Sequence, residues 1–146
     1  MTATAVATRI EVGDLQPEEA ELLFGLAKSA FETVPGWTDA RVLAALAGDV
    51  VFVAREDGMQ AGYVALAPNA GEGLVIEQLL VAPGHEHRGV GRRLLAHAEG
   101  FAIAQGAPSL LIVAEPDNHV ARGFYRRSGF VPVARELLEL VLPRRA

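Results

Sequence analysis

Apolar residues recur along the chain with two periods, one typical of strands and one typical of helices. Short apolar or alternating runs predict seven strands, over residues 8–12, 50–54, 60–67, 74–81, 110–114, 130–133 and 137–142. Apolar residues spaced three and four positions apart predict four helices, over residues 17–33, 40–47, 89–105 and 118–128. Elements in this mixed order predict an α/β or α+β fold around one central sheet.

The predicted elements are separated by residues that commonly form turns and helix ends. Glu56-Asp57-Gly58 lies between two predicted strands and indicates a hairpin turn. Gly48 and Gly129 follow predicted helices, where glycine is the favoured residue. The run from Leu110 to Ala114 shows no alternation of apolar and polar residues, which predicts a strand covered on both faces.

The composition fits one globular domain over residues 1–146. Of these 146 residues, 51% are hydrophobic and 21% are charged, so a core can form without a metal or a disulfide. The absence of cysteine excludes disulfides, zinc ribbons and thiol catalysis, and it fits a cytoplasmic protein. No apolar run is long enough to span a membrane, and the N-terminal residues do not resemble a signal peptide.

The net charge of −5 is unevenly distributed. Residues 1–84 contain four basic and twelve acidic side chains, whereas residues 85–146 contain nine arginines and six acidic side chains. The acidic balance argues against nucleic acid as a partner. The asymmetry reflects either charged helix surfaces without a ligand, or an anion site in the second half and a cationic partner near the first.

A glycine-rich turn joins a predicted strand to a predicted helix. Gly89 and Gly91 leave the backbone uncovered where the helix begins, and free N–H groups and the helix dipole attract phosphate oxygens there. Arg88 and Arg92 add positive charge, so a pyrophosphate is the expected ligand; a plain tight turn is the alternative. The turn lacks the third glycine of a dinucleotide-binding fingerprint and the ending of a P-loop.

This turn resembles a motif of the GNAT superfamily of N-acetyltransferases. The family pattern is a strand ending in Val-x-Pro, then Arg/Gln-x-x-Gly-x-Gly/Ala opening a helix. Val81-Ala82-Pro83 and Gly89-Val90-Gly91 match it in position and spacing. Glu86 stands where the family usually has Arg or Gln, and a carboxylate there must point away from the phosphates or pair with an arginine.

A second segment resembles the next motif of the same family. The pattern Asn-x-x-Ala-x-x-(apolar)-Tyr, with Gly-Phe four residues later, is matched by Asn118, Ala121, Phe124-Tyr125 and Gly129-Phe130. The two motifs occur in the family's order and spacing, and the clear resemblance covers about residues 74–130. The resemblance implies an acyl-CoA N-acyltransferase fold, in which a mixed, mostly antiparallel sheet is flanked by helices and its two middle strands splay apart. Acetyl-CoA would lie in the cleft between them.

The resemblance also implies roles for individual residues. The backbone of Leu79, Leu80 and Val81 would pair with the pantetheine arm like an added strand, and an N–H group there would stabilise the oxyanion. The pyrophosphate would be held by His87, Arg88, Gly89, Val90, Gly91 and Arg92. Asn118 would contact the cofactor. Tyr125 would protonate the leaving thiolate, because a phenol keeps its proton at pH 7; core packing is its alternative.

The general base is sought among the acids near this cleft. Glu77 is the only acid in the apolar run 74–81, and apolar neighbours should raise its pKa, which suits a base. A solvent-facing position is the alternative. Glu115, at the end of the next strand, is a second candidate whose alternative is a loop charge. Many family members use a Glu on the strand that contains Glu77, though not always at this position.

The sequence therefore predicts an acetyl-CoA-dependent N-acetyltransferase that acts by direct transfer to a primary amine of a small molecule, peptide or protein. A catalytically weak acyl-CoA-binding regulatory module is the alternative, and a protein-interaction domain is a third hypothesis. The acidic half favours a cationic acceptor, and a homodimer is the assembly considered. Metal is not expected, because His85-Glu86-His87 lacks further ligands. The acceptor pocket would be lined by Phe31, Val34 and Trp37, unless these residues only pack the first two helices.

Overall fold

The computed structural model describes residues 9–31, 38–48, 50–68 and 73–143. The strands are β1 (Ile10–Asp14), β2 (Val50–Glu56), β3 (Met59–Pro68), β4 (Leu74–Val81), β5 (Ser109–Val113), β6 (Val131–Ala134) and β7 (Leu137–Val141). The helices are α1 (Ala20–Phe31, after a short 3-10 turn at Pro17–Glu19), α2 (Asp39–Gly48), α3 (Val90–Ala104) and α4 (His119–Arg127). The predicted elements and their order are confirmed. Among these described helices, none has both the length and the apolar character needed to cross a membrane.

The seven strands form one sheet in the order β1-β2-β3-β4-β5-β7-β6. All neighbouring strands are antiparallel except β4 and β5, which are parallel. Pairing between β4 and β5 runs only from Leu74–Leu110 to Ile76–Ile112, and the two strands separate beyond it. The expected mixed, mostly antiparallel sheet with splayed middle strands is therefore confirmed.

A β-bulge in β4 lies at the point where the two strands separate. On the β3 side, Leu66 pairs with Ile76 but Ala65 pairs with Gln78, so Glu77 has no partner in the register. An extra residue bends a strand and interrupts its alternation. Ile76 therefore packs on one face of the sheet, whereas Gln78 is buried two positions later on the other. The bulge turns the end of β4 away from β5.

The sheet separates two apolar clusters. Helices α3 and α4 cover one face, where buried residues include Val64, Ile76, Leu94, Ile112 and Tyr125. Helices α1 and α2 cover the other face over β2, β3 and β4, where buried residues include Leu23, Val42, Val53, Tyr63 and Leu80. Residues 109–112 of β5 are all buried, as the lack of alternation predicted. Spaces on opposite faces of the sheet can therefore connect only where the sheet opens.

A single glycine allows β3 to pass close to β4 at the end of this opening. Gly62 pairs with Val81, and a Cβ atom built on Gly62 would overlap the backbone carbonyl oxygen of Leu80. Backbone atoms in a paired strand cannot move aside as a flexible side chain can. Any residue larger than glycine would therefore separate the two strands at the base of the glycine-rich turn.

Candidate active site

A cleft of about 540 Å³ opens between the start of α3 and the helix α4, on one face of the sheet. The lining comes from the end of β4, the glycine-rich turn, the first turn of α3, and α4 with its N-cap. It comprises Val81, His85, Glu86, His87, Gly89, Val90, Gly91, Arg92, Asn118, Val120, Ala121, Phe124 and Arg127. The structure thus brings the two sequence motifs together around one space.

The turn that enters the cleft has a contorted backbone. Gly84, His87 and Gly89 have φ angles of 88°, 62° and 89°, in the left-handed region that glycine adopts at little cost. Gly89 is the N-cap of α3, and no side chain caps the helix. The first N–H groups of the helix therefore lack partners within the helix and face the cleft with its positive dipole end. This arrangement suits a phosphate group.

The missing side chain at Gly91 shapes the wall of the cleft. A Cβ atom on Gly91 would lie 3.4 Å from Val81 Cγ2 and 3.6 Å from Phe124 Cζ. Strand β4 and helix α4 thus face each other across this glycine. The space would accept a slender chain, and a branched side chain at Gly91 would fill it.

The charged residues of the turn differ in whether their side chains face the cleft or pair with other parts of the protein. Arg92 lines the cleft, together with Arg127 from the last turn of α4, which sequence reasoning missed. Arg88, predicted to hold the pyrophosphate, is not part of the lining; its Nη1 lies 3.5 Å from the carboxylate of Glu56. The carboxylate of Glu86 accepts a hydrogen bond from the backbone N–H of Gly84 at 3.1 Å. That bond holds Glu86 within the turn, and no arginine of the described residues forms an ion pair with it.

A small passage of about 60 Å³ lies where β4 and β5 separate. Its lining includes both predicted catalytic residues, Tyr125 and Glu77, together with Leu79 and Glu115. Asn118 and Ala121 line this passage as well as the large cleft, so the two spaces adjoin. Leu80, which was predicted to contact the cofactor through its backbone, is absent from both linings; its side chain is buried on the opposite face and its carbonyl oxygen faces Gly62 on β3.

Tyr125 is buried but borders the passage. Its side chain is 7% exposed and packs between the rings of Phe124 and Phe130. Burial raises the pKa of Tyr125 to about 12. The hydroxyl is therefore protonated at neutral pH and able to donate. The structure gives the hydroxyl no hydrogen-bond partner among the residues that it describes.

Asn118 positions the start of α4. Its Oδ1 accepts a hydrogen bond from the backbone N–H of Ala121 at 3.3 Å, so it is the N-cap of the helix. The cap occupies the oxygen and leaves the amide nitrogen of this exposed residue to donate toward the two adjoining spaces.

A second cavity, of about 270 Å³, lies on the α2 side of the sheet. It is lined by Arg41, Ala44, Ala45, Glu77, Gln78 and Val113. Glu77 also borders the passage, so this residue lines both spaces. The prediction that Glu77 has apolar surroundings is wrong. Its side chain is exposed, because the bulge turns it out of the sheet.

Gln78 is a buried polar residue of this region that sequence reasoning missed. Its Oε1 accepts a hydrogen bond from the Tyr63 hydroxyl at 2.5 Å, and its Nε2 donates to the Arg41 carbonyl oxygen at 3.5 Å. Two consecutive polar residues, Glu77 and Gln78, interrupt an otherwise apolar strand, and that pair was the available signal for the bulge. The side chains of Phe31, Val34 and Trp37 lie outside the part of the chain that the structure describes.

Within the described ranges, no group of three or more His, Asp or Glu side chains is placed to hold a metal ion. His85, from the segment that raised the question of a metal, instead pairs with Glu56 through its Nδ1 at 2.5 Å.

Comparison with known proteins gives one family and a common fold. Residues 19–130 match the model of the acetyltransferase (GNAT) family. Streptothricin acetyltransferase from Streptomyces lavendulae is 43% identical over 75 residues, which are 51% of this chain and 40% of that protein. A mycothiol acetyltransferase from Kineococcus radiotolerans is 37% identical over 127 residues, which are 84% of this chain and 41% of that protein. The matched regions thus span about two fifths of the length of either relative.

A GNAT family acetyltransferase from Brucella melitensis, solved in complex with acetyl-CoA, has a similar structure. The TM-score is 0.73 at 21% sequence identity, and the match covers 94% of this chain and 92% of that one. At this identity the likeness concerns the fold.

Proposed function

Because the chain belongs to the GNAT acetyltransferase family, we propose that it is an acetyl-CoA-dependent N-acetyltransferase acting by direct transfer to a primary amine. One observation supports this most strongly. The large cleft on the α3–α4 face and the smaller cavity on the α2 face adjoin the same passage through the sheet, which is bordered by Tyr125 and Glu77. A donor and an acceptor bound on opposite faces would meet there.

The donor cleft suits acetyl-CoA, the ligand of the Brucella melitensis structure. The N–H groups at the start of α3 and the guanidinium of Arg92 would hold the pyrophosphate, with His87 and Arg88 at its edge. The pantetheine arm would run past Gly91 and along the backbone of β4 at Leu79–Val81, whose β5-facing side pairs with no strand in the described ranges. One of these backbone N–H groups would stabilise the oxyanion as the amine attacks.

The reacting groups then have balanced roles. Glu77 takes one proton from the acceptor ammonium, and the freed nitrogen attacks the thioester carbon. As the C–N bond forms and the C–S bond breaks, Tyr125 donates its proton to the leaving sulfur. The second proton lost by the nitrogen restores Tyr125 through solvent, so the products are an amide, a thiol and one released proton.

The acceptor is proposed to be a cationic amine of a small molecule, a peptide or a protein. Glu77 and Glu115 offer two carboxylates at the passage, and the first half of the chain is acidic. The relatives named for streptothricin and mycothiol support small-molecule acceptors as the first to test. Three expectations stay predictions: a single domain over residues 1–146, a cytoplasmic location and a homodimer.

The proposal is tested by two measurements on the full chain. Calorimetry should detect acetyl-CoA binding, and thiol release from acetyl-CoA should depend on an added amine from a panel of antibiotics, amino acids, polyamines and peptides. Tight binding without turnover on any amine would favour the regulatory module. The absence of acetyl-CoA binding would refute both.

Replacing Gly91 by valine should raise the Kd for acetyl-CoA at least about tenfold, because the branched side chain fills the space between Val81 and Phe124. Calorimetry measures the Kd, and circular dichroism checks the fold. Gly100→Val is the matched control: it places the same side chain on α3 where nothing lies within 4 Å of the Cβ position. Equal affinities for the two variants would argue against a donor at Gly91.

Replacing Glu77 by glutamine should lower kcat/KM for the amine about tenfold to 100-fold at pH 7, because the acceptor loses its base. The deficit should shrink as pH rises, since an amine becomes neutral without help near its own pKa. Thiol release between pH 6.5 and 10 measures both effects. Glu115→Gln is the control at the same passage, and a larger loss in that variant would transfer the role to Glu115.

A further inference from the structure

Glu56 is a buried acid with no role in the proposed chemistry. It is the last residue of β2 and is 5% exposed. Burying a carboxylate is costly unless charged or hydrogen-bonding groups compensate it. The groups that compensate Glu56 therefore indicate what its burial achieves.

Both of its partners belong to the turn that enters the donor cleft. Oε1 lies 2.5 Å from Nδ1 of His85, and Oε2 lies 3.5 Å from Nη1 of Arg88. A carboxylate only accepts, so the His85 nitrogen supplies the proton of this bond. Oε2 makes no hydrogen bond among the described residues, and the contact with Arg88 is its ion pair. The carboxylate thus links β2, which lies two positions from β4 in the sheet, to the glycine-rich turn that enters the donor cleft, here called the donor turn.

The two contacts enclose the strained part of the turn. His87, between them, has φ at 62°, a conformation that costs a non-glycine residue free energy. Gly89, the N-cap of α3, follows immediately. A histidine does not by itself favour a positive φ angle, so contacts from outside the turn must stabilise this conformation of His87. Glu56, which lies outside the turn, supplies two such contacts, one to His85 and one to Arg88.

We propose that Glu56, acting through His85 and Arg88, is a positioning residue for the donor turn: it fixes the backbone that receives the pyrophosphate of acetyl-CoA. This inference rests on the proposed function. Glu56 itself contacts no substrate. Its contribution concerns the diphosphate end of the donor and leaves the acetyl end, the acceptor and the passage unaffected.

Replacing Glu56 by glutamine would have two opposite effects on acetyl-CoA binding, one from the lost charge and one from the lost contacts. A carboxylate near a pyrophosphate repels it, so removal of the charge alone would strengthen donor binding. Loss of the two contacts, to His85 and to Arg88, would loosen the turn and weaken donor binding. We expect the KM for acetyl-CoA to rise about five- to tenfold while kcat stays within about twofold. Glu21→Gln, which removes an exposed acid on α1, is the control for net charge.

The decisive comparison uses two donors. S-acetyl-pantetheine carries the same thioester and arm as acetyl-CoA but lacks the diphosphate and the phosphorylated adenosine attached to it. Glu56→Gln should therefore be impaired with acetyl-CoA and match the unmodified protein with S-acetyl-pantetheine. An unchanged or lower KM for acetyl-CoA would overturn the proposal. Equal impairment with both donors would also overturn it, since it would show a general structural defect.

A pair of substitutions at His85 covers the case in which Glu56→Gln does not fold. Asparagine places an N–H donor near the position of Nδ1, whereas alanine removes it. His85→Asn should retain most of the acetyl-CoA affinity, and His85→Ala should lose it about five- to tenfold; equal behaviour of the two would contradict the proposal. If the unmodified protein does not use acetyl-CoA at all, the proposed function fails, which is a separate result.

Discussion

Replacing Tyr125 by phenylalanine is expected to lower kcat for acetyl transfer about 100- to 1,000-fold while changing the KM for acetyl-CoA little. The substitution removes only the hydroxyl that borders the passage, and the ring would keep its packing against Phe124 and Phe130. Without this donor the thiolate must leave unprotonated. Steady-state thiol release, with calorimetry of acetyl-CoA binding, measures both quantities.

The pH dependence provides an independent check on Tyr125. A general acid is active while it holds its proton, and burial raises the pKa of Tyr125 to about 12. Activity should therefore show no loss from Tyr125 ionisation as pH rises from 7 to 10. A decline with a midpoint near 10 that is absent from Tyr125→Phe would mean that the hydroxyl ionises as it does in water.

The chain contains a matched control for this experiment, because it has one other tyrosine. Tyr63 is fully buried, and its hydroxyl donates to Gln78. Tyr63→Phe removes a buried hydroxyl and should lower the free energy of unfolding by about 1 kcal/mol, with less than about a fivefold effect on kcat. Similar kcat losses in both variants, or weaker donor binding with normal kcat in Tyr125→Phe, would contradict the acid role.

Replacing Gly62 by alanine is expected to lower the free energy of unfolding by about 3 kcal/mol or more. The added Cβ atom would overlap the carbonyl oxygen of Leu80, and both groups belong to paired backbone in the middle of the sheet. Relief requires β3 and β4 to separate at Val81, where the donor turn begins. Any folded fraction should therefore also bind acetyl-CoA weakly. Urea unfolding monitored by circular dichroism measures the loss of stability.

The same substitution at Gly100 should have the opposite effect on the free energy of unfolding. Gly100 lies within α3, and a Cβ atom there meets nothing within 4 Å. Alanine favours helix over glycine, so Gly100→Ala should raise the free energy of unfolding by about 1 kcal/mol. If Gly62→Ala changed stability by less than Gly100→Ala does, the close approach of the two strands would be refuted.

The secondary structure and the donor turn could be predicted from the sequence because their causes are local. Strand β4 has the predicted bounds, and Gly89 lies at the predicted start of a helix whose N–H groups face a cleft. Asn118 caps α4 and Tyr125 falls two turns later, as the spacing of the second motif implied. Each of these features depends on residues within one or two turns of chain.

Features that depend on distant pairing could not be predicted in the same way. The exposure of Glu77 follows from a bulge, which is a property of the register between β3 and β4 and not of the β4 sequence alone. The pairing of His85 with Glu56 joins residues 29 positions apart. Arg88 has the charge expected of a phosphate ligand, but its Nη1 lies 3.5 Å from a buried carboxylate on another strand.

The two proposed binding spaces open on opposite faces of β4 and adjoin a narrow passage. Neither substrate therefore has to pass through the other's site, and neither blocks the other's entry. Under the proposed direct transfer both must be bound together before reaction, because the acetyl group passes from the thioester to the amine without a covalent enzyme intermediate. Such geometry corresponds to a sequential mechanism with free order of addition, in which double-reciprocal plots intersect and no product leaves before the second substrate arrives.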